Sequence, residues 1–190
     1  MTKIPPSRAL ALVGMPGAGK TLCAEYLEKR GFFQFRFGRI VIEEVERRGQ
    51  SITPENETTV REELRQNEGM DAVAKRALPY LQAALKTRAV IIIDGLYSFS
   101  EYRTLRKTLN AELILVAIVC PRALRYTRLT TRPIRPLTLV KAEQRDFQEI
   151  ENLEKGGPIA MADYFLTNER DPQALYDQLD TLIERLGIAP

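Results

Sequence analysis

Gly14-Met15-Pro16-Gly17-Ala18-Gly19-Lys20-Thr21 is the stretch that decides the fold. It has the spacing G-x-x-x-x-G-K-[ST], and its flanks suit that pattern. Ala9 to Val13 before it is an apolar run of strand length, and Leu22 to Arg30 after it reads as a helix. Successive backbone N–H groups can curl around an anion only where Cβ atoms leave the turn free, which accounts for Gly14, Gly17 and Gly19. The helix behind the turn aims the positive end of its dipole at the same point. All eight residues are therefore expected to cradle phosphates, with Lys20 reaching the β- and γ-phosphates and the Thr21 hydroxyl ligating a bridging Mg²⁺.

Outward from the loop, four more segments read as strands: Phe32 to Phe37, Ala89 to Ile93, Leu113 to Cys120 and Tyr164 to Thr167. Most are continuous apolar runs, the pattern of strands buried on both faces of a parallel sheet. Helical patterns alternate with them. The expected fold is α/β of the P-loop NTPase type, a five-stranded parallel sheet with helices on both faces and right-handed crossovers. Ligands of such sheets bind at the carboxyl ends of the strands, where the phosphate loop already lies. With 190 residues the chain reads as one domain, 1–190. The last helix has Asp171 as N-cap, Pro172 in its first turn, a stripe of Leu175, Leu179, Leu182, Ile183 and Leu186, and Gly187 at its end.

Two segments exceed the minimal alternation. The first, about 38–88, is too long for one crossover and predicts several helices: one over Ile40 to Arg48, one capped by Thr53, and one capped by Asp71 and kinked or broken at Pro79. The second, about 121–142, carries Arg122, Arg125, Arg128, Arg132 and Arg135 without any acidic residue. At helical spacing the first four share a face and repel one another by roughly 0.2–0.5 kcal/mol per pair. An anionic ligand would offset this, which makes Arg128, Arg132 and Arg135 candidates to stabilise a migrating phosphoryl group from a lid. Pro133 and Pro136 end the helix.

Ile91-Ile92-Ile93-Asp94-Gly95 sets a carboxylate at the end of a central strand. A charge there is costly without a positive partner, and Mg²⁺, which keeps its waters and takes one or two carboxylates, is a suitable one. Asp94 and Thr21 are thus the candidate metal ligands.

Composition excludes other chemistries. There is no histidine, so imidazole bases, His-based triads and His-containing zinc sites are ruled out. Two cysteines, Cys23 and Cys120, make no disulfide framework and are expected to be buried thiols. The basic residues are 20 Arg and 8 Lys, a bias that suits phosphate handling, but a net charge of +3 is weak support for nucleic-acid binding. No apolar run reaches the roughly 18 residues of a membrane span, and Pro5, Pro6 and Arg8 interrupt Ile4 to Val13, so a cytoplasmic location is expected.

In this order, phosphate loop, helical insertion, Asp-Gly after an apolar strand and Arg-rich lid resemble the nucleoside monophosphate kinases. The chain from Ala9 to Asn168 resembles still more a family of predicted nucleotide kinases, common in archaea and often labelled dephospho-CoA kinase-like. The shared residues are Gly14 to Gly17, Thr53-Pro54-Glu55-Asn56, Glu63-Leu64-Arg65, Gly69 to Arg76, Asp94-Gly95, Arg145-Asp146, Ala162-Asp163-Tyr164 and Asn168. The resemblance implies ATP on Gly14 to Thr21, Mg²⁺ near Asp94, and a small-molecule acceptor in the insertion. Arg39, Arg65 and Arg76 are candidates to hold that acceptor. Such kinases tend to have Gly-Asp after the second strand with an arginine three residues on, and Pro-Arg soon after Asp-Gly. Here Gly38 precedes Arg39, Ile42 takes the later position, and Leu96 follows Gly95, so the acceptor site is altered or lost. The functions implied are an ATP/Mg²⁺ phosphotransferase acting on a nucleoside monophosphate or related molecule, a dephospho-CoA kinase, or a nucleotide-binding regulator without an acceptor.

Overall fold

The computed structural model describes residues 7–190, so the interruption of the apolar run at Pro5 and Pro6 lies outside the described residues. The elements are β1 (Arg8–Val13), α1 (Lys20–Lys29), β2 (Gln34–Arg36), α2 (Gly38–Arg47), α3 (Pro54–Glu68), α4 (Ala72–Leu85), β3 (Val90–Asp94) and α5 (Phe99–Thr108). They continue with β4 (Glu112–Val119), α6 (Arg122–Thr131), α7 (Leu139–Glu151), α8 (Gly156–Ala160), β5 (Tyr164–Thr167) and α9 (Pro172–Leu186). The sheet runs β2-β3-β1-β4-β5 with every pairing parallel.

Central β1 is apolar on both faces because both faces are covered. Ala9, Ala11 and Val13 meet a layer built on Ile40, Leu64, Leu81 and Leu105, which come from α2, α3, α4 and α5. Leu10 and Leu12 meet Cys23 and Leu27 of α1 and Leu175 and Leu179 of α9. Each fully buried large aliphatic side chain contributes ~1.5–3 kcal/mol, and the period of two in β1 divides that burial between the layers. Parallel strands bring the segments after β1, β3, β4 and β5 to one edge, and that edge carries the phosphate loop.

Several expectations about elements need correction. β2 pairs only through Gln34, Phe35 and Arg36, although Phe32 and Phe37 beside it are buried. Pro79 does not break α4, which runs on through Leu85. Asp71 stands at the N-cap of α4 without capping it: its carboxylate pairs with Lys75 at 2.8 Å and accepts from Thr104 Oγ1 at 2.6 Å. Cys23 is buried, but Cys120 is only half-buried. The caps at Thr53 and Asp171 form as expected, accepting from the Asn56 and Ala174 amides at 3.2 and 3.0 Å. Among the described residues no helix is long and apolar enough to cross a membrane.

A buried carboxylate fixes α2. Glu44 accepts from Arg47 at 2.7 Å, Arg48 at 2.8 Å and Arg76 of α4 at 3.1 Å, and the Arg47 hydrogen bond leads in holding its carboxyl far below the usual range. Stability from a depressed carboxylate is present above its unfolded pKa and is lost as pH falls through the folded one. Glu44→Gln should therefore lower Tm by ~5 °C near pH 7, equivalent to ~2 kcal/mol, with the gap to the parent closing in strong acid. Thermal melts across pH check this.

Candidate functional site

The phosphate loop leaves β1 at Val13 and enters α1 at Lys20, held against β4 and α6 on its way. At Gly14, φ is 146° and an added Cβ would strike the Ile118 carbonyl. At Gly17, φ is 78° and a Cβ would stand 2.9 Å from the Arg125 carbonyl oxygen. Glycine is therefore required twice over, by dihedral and by close approach. Lys20 Nζ donates to the carbonyl oxygens of Gly14 at 2.7 Å and Met15 at 3.3 Å. Burial, and then the ammonium of Lys155, lower its pKa to about 7. Thr21 is exposed in the first turn of α1.

Two buried side chains clamp the loop from behind. Arg125 donates to the Pro16 carbonyl at 3.1 Å and grips Asp146 of α7 with bonds of 2.9 and 2.6 Å. Asn168, just beyond β5, donates to the Ala18 carbonyl at 2.8 Å and accepts from Arg128 Nη2 at 3.3 Å. Arg125 thus belongs to the scaffold, its charge offset from outside its own segment by Asp146. Asp146→Ala strands that guanidinium and should cost ~3–5 kcal/mol, a fall in Tm of roughly 10 °C, with weakened triphosphate binding. Calorimetry and nucleotide titration of the variant test the pair of effects.

Two cavities open at this edge. One, of about 430 Å³, is lined by Gly17, Lys20, Thr21, Arg128, Arg132, Asn168 and Arg170. The other, of about 630 Å³, lies between α3 and α7 and is lined by Arg61, Arg65, Arg132, Arg135, Lys141, Arg145 and Glu149, among others. Arg132 is on the wall of both. It ends α6, and its Nε donates to the Arg135 carbonyl at 2.6 Å. Arg135 sits at φ 54°, a conformation uncommon outside glycine, between Pro133 and Pro136. Burial, with Arg145 and Arg135 adding to it, lowers the pKa of Arg132.

The structure gathers some of the expected residues and separates others. Lys20, Thr21, Arg128 and Arg132 line the loop cavity; Arg65, Arg132 and Arg135 line the second. Asp94 ends β3 with its carboxyl raised by burial. Gln34 donates to it at 3.2 Å, and Arg36 stands 3.9 Å away. Arg39 and Arg76 are not brought to either cavity. Arg39 pairs with Glu43 at 2.6 Å and lies over Tyr80, while Arg76 is held by Glu44 and Glu68. Both guanidiniums tie α2 to neighbouring helices, away from the two cavities at the phosphate loop. Arg65 is buried in the second cavity's wall, and its Nε and Nη2 have no hydrogen-bond partner. The nearest carboxylate, Glu101, is 3.8 Å away and also has an unpartnered oxygen.

Sequence reasoning missed a buried charged cluster behind that wall. Glu149 of α7 is ion-paired with Lys155 and lies 3.4 Å from Arg145 Nε. Lys155 Nζ in turn faces the Tyr97 ring at 4.8 Å. Only Arg145 and Asp146 of this group carried any signal, as part of the family resemblance.

The model of the AAA domain family matches residues 10–154. A UPF0200 protein of Thermococcus gammatolerans is 38% identical over 178 residues, covering 92% of this chain and 93% of that protein. One of Methanocaldococcus jannaschii is 31% identical, covering 93% and 89%. Among solved structures, TT1252 from Thermus thermophilus superposes with a TM-score of 0.64 at 15% identity, covering 96% of this chain and 99% of that one. Shikimate kinase from Bacteroides thetaiotaomicron does so with 0.58 at 17% identity, covering 95% and 98%. The five-stranded parallel sheet with its phosphate loop is thus the fold of the P-loop kinases.

Proposed function

The chain belongs to the UPF0200 proteins and to the AAA domain family, and on that premise we propose that it is an ATP- and Mg²⁺-dependent phosphotransferase of the nucleotide-kinase type. In this role residues 1–190 act as one domain, with 38–88 contributing acceptor contacts and 121–142 the lid. The observation that carries the proposal is the position of Arg132, on the wall shared by a phosphate-loop cavity and a second cation-lined cavity. A triphosphate tail on the loop would then have its terminal phosphoryl at the boundary between donor and acceptor.

Each residue has a definite task. Lys20 exchanges the loop carbonyls for phosphate oxygens, Arg128 and Arg132 offset charge on the migrating group, and Arg65 holds the acceptor from α3. Among the described residues no cluster of three or more acidic, histidine or cysteine side chains could hold a metal. One hydroxyl from Thr21 and the carboxylate of Asp94, whose Arg36 partner stands 3.9 Å away, do fit an ion that keeps its waters. Bound there, Mg²⁺ would supply charge neutralisation between phosphates. Transfer of this kind depends on position and charge more than on a strong base, so the chain's lack of histidine is no obstacle.

ATP turnover, coupled and measured against a panel of nucleoside monophosphates and dephospho-CoA with Mg²⁺, tests the proposal. Stimulation by an acceptor supports it, and a flat panel removes it. A second role, a nucleotide-binding regulator, draws on the engagement of Arg39 and Arg76 in ion pairs. Titrating labelled monophosphates against the ATP-loaded protein separates the two, since a regulator of that kind shows no second site.

A further inference from the structure

The phosphotransferase role proposed above leaves open which atom of the acceptor attacks, and Glu149 bears on this. The walls of the 630 Å³ cavity carry Arg61, Arg65, Arg132 and Arg145 together with Glu57, Glu62 and Glu149, and of these three carboxylates only Glu149 is buried. Burial alone would raise the carboxyl of Glu149. Lys155, with Arg145 and Lys20 adding to it, outweighs burial and holds the group below its ordinary value. Its ion pairs with Lys155 and Arg145 suit an ionised carboxylate, and it stands in the wall of the cavity that also carries Arg132.

That arrangement suits one kind of nucleophile. The phosphate oxygen of a nucleoside monophosphate is already deprotonated near neutral pH, so a carboxylate in its path repels it and has no proton to take. A hydroxyl must shed a proton as it attacks, and a carboxylate that accepts it can contribute 10²–10⁴ in rate. The cations beside it need an anion on the same molecule, since Arg65 is buried with two N–H groups unpartnered.

We propose that this cavity takes an alcohol bearing a phosphate or carboxylate group, and that Glu149 is the catalytic residue that accepts the hydroxyl proton. The hydroxyl oxygen bonds to the γ-phosphorus of ATP, and the bond from that phosphorus to the β–γ bridging oxygen breaks. ADP leaves, and the proton passes to Glu149 and on to solvent. The product is a phosphomonoester, whereas transfer to a monophosphate would give a phosphoanhydride.

The protein with ATP and Mg²⁺ is offered AMP, CMP, GMP and UMP in one set, and dephospho-CoA, ribose 5-phosphate and glycerate in another. Phosphorus NMR then reads the new linkage. A monoester product is expected, with kcat lowered ~10²–10⁴-fold in Glu149→Gln, a larger change than any in ATP affinity, which falls only as far as Lys20 loses the support of the Glu149 charge. Because that variant strands Lys155, Glu149→Gln is repeated with Lys155→Met, which removes the stranded ammonium; circular dichroism and ATP titration report its fold. A phosphoanhydride product, or a folded double variant with kcat within threefold of the parent, overturns the proposal while leaving the kinase role standing. No turnover with either set removes the kinase role itself, and the proposal with it.

Discussion

Lys20→Ala is expected to bind ATP with Mg²⁺ some ~30- to 1,000-fold more weakly than the parent, a loss of about 2–4 kcal/mol. In the structure Nζ is folded onto the Gly14 and Met15 carbonyls, 2.7 and 3.3 Å away, so the ammonium is already positioned inside the turn that a phosphate would enter. A bound anion replaces weak dipoles with full negative charge, and the charge-assisted bonds it gains have no substitute in the variant. The glycines and the α1 N-terminus remain, which is why binding should fall without vanishing. Lys20→Arg should rescue little, because a planar fork does not fit where a compact ammonium sits. The substitution touches none of the core leucines, so Tm should move by only a degree or two. Titration calorimetry decides. A variant that binds like the parent, or a parent that binds no triphosphate, rules out a phosphate-binding role for this loop.

The sheet was legible because its signals are local. Ile91-Ile92-Ile93 and Leu113 to Val119 are apolar without interruption, a pattern that needs cover on both faces, and α1, α9, α4 and α5 provide it. Helix α7 was not legible for an equally local reason. Its buried positions are Ala142, Asp146 and Glu149, whereas Val140, Phe147 and Ile150 are exposed, so its apolar residues mark the wrong face. A helix that turns charge inward to build a cavity defeats a rule based on burying apolar residues. The edge strand β2 is shorter than its aromatic run because the Phe32 and Phe37 side chains are buried beyond the paired residues Gln34 to Arg36, with Phe37 N–H still donating to the Asp94 carbonyl at 2.9 Å.

The phosphate loop needed only eight consecutive residues. Its supports come from far away: Arg125 lies 109 residues from Pro16, and Asn168 lies 150 from Ala18. Glu149 and Lys155 are six residues apart, but what matters about them is their shared burial, which no spacing encodes. Arginine is the clearest case of ambiguity. Arg39 meets Glu43 one turn along its own helix, a pairing local to α2, whereas only the tertiary fold brings Glu44 and Glu68 to Arg76 and leaves two Arg65 nitrogens without partners.

Arg132 should carry the largest effect on rate. Arg132→Ala is expected to lower kcat by ~10³-fold or more, the range seen when an arginine that stabilises phosphoryl transfer is removed, with ATP affinity changed less than tenfold. The separation follows from geometry. Lys20, Thr21 and Arg128 remain around the triphosphate, so ground-state binding keeps most of its partners. No other lid arginine borders both cavities, and charge builds at their boundary only as the phosphoryl group moves. Arg132 is also free to respond. Its hydrogen bond goes to the Arg135 carbonyl in a loop pinned between two prolines, and no carboxylate neutralises it among the described residues. Arg132→Lys should recover only part of the loss, since a point charge cannot bridge two oxygens as a fork does. Arg135→Ala should cost less, because that side chain lines only the cavity between α3 and α7 and is exposed. Single-turnover quench measurements with the parent's best acceptor separate the chemical step from product release. A folded Arg132→Ala protein that binds ATP and transfers within tenfold of the parent would show that the shared wall plays no part in the reaction.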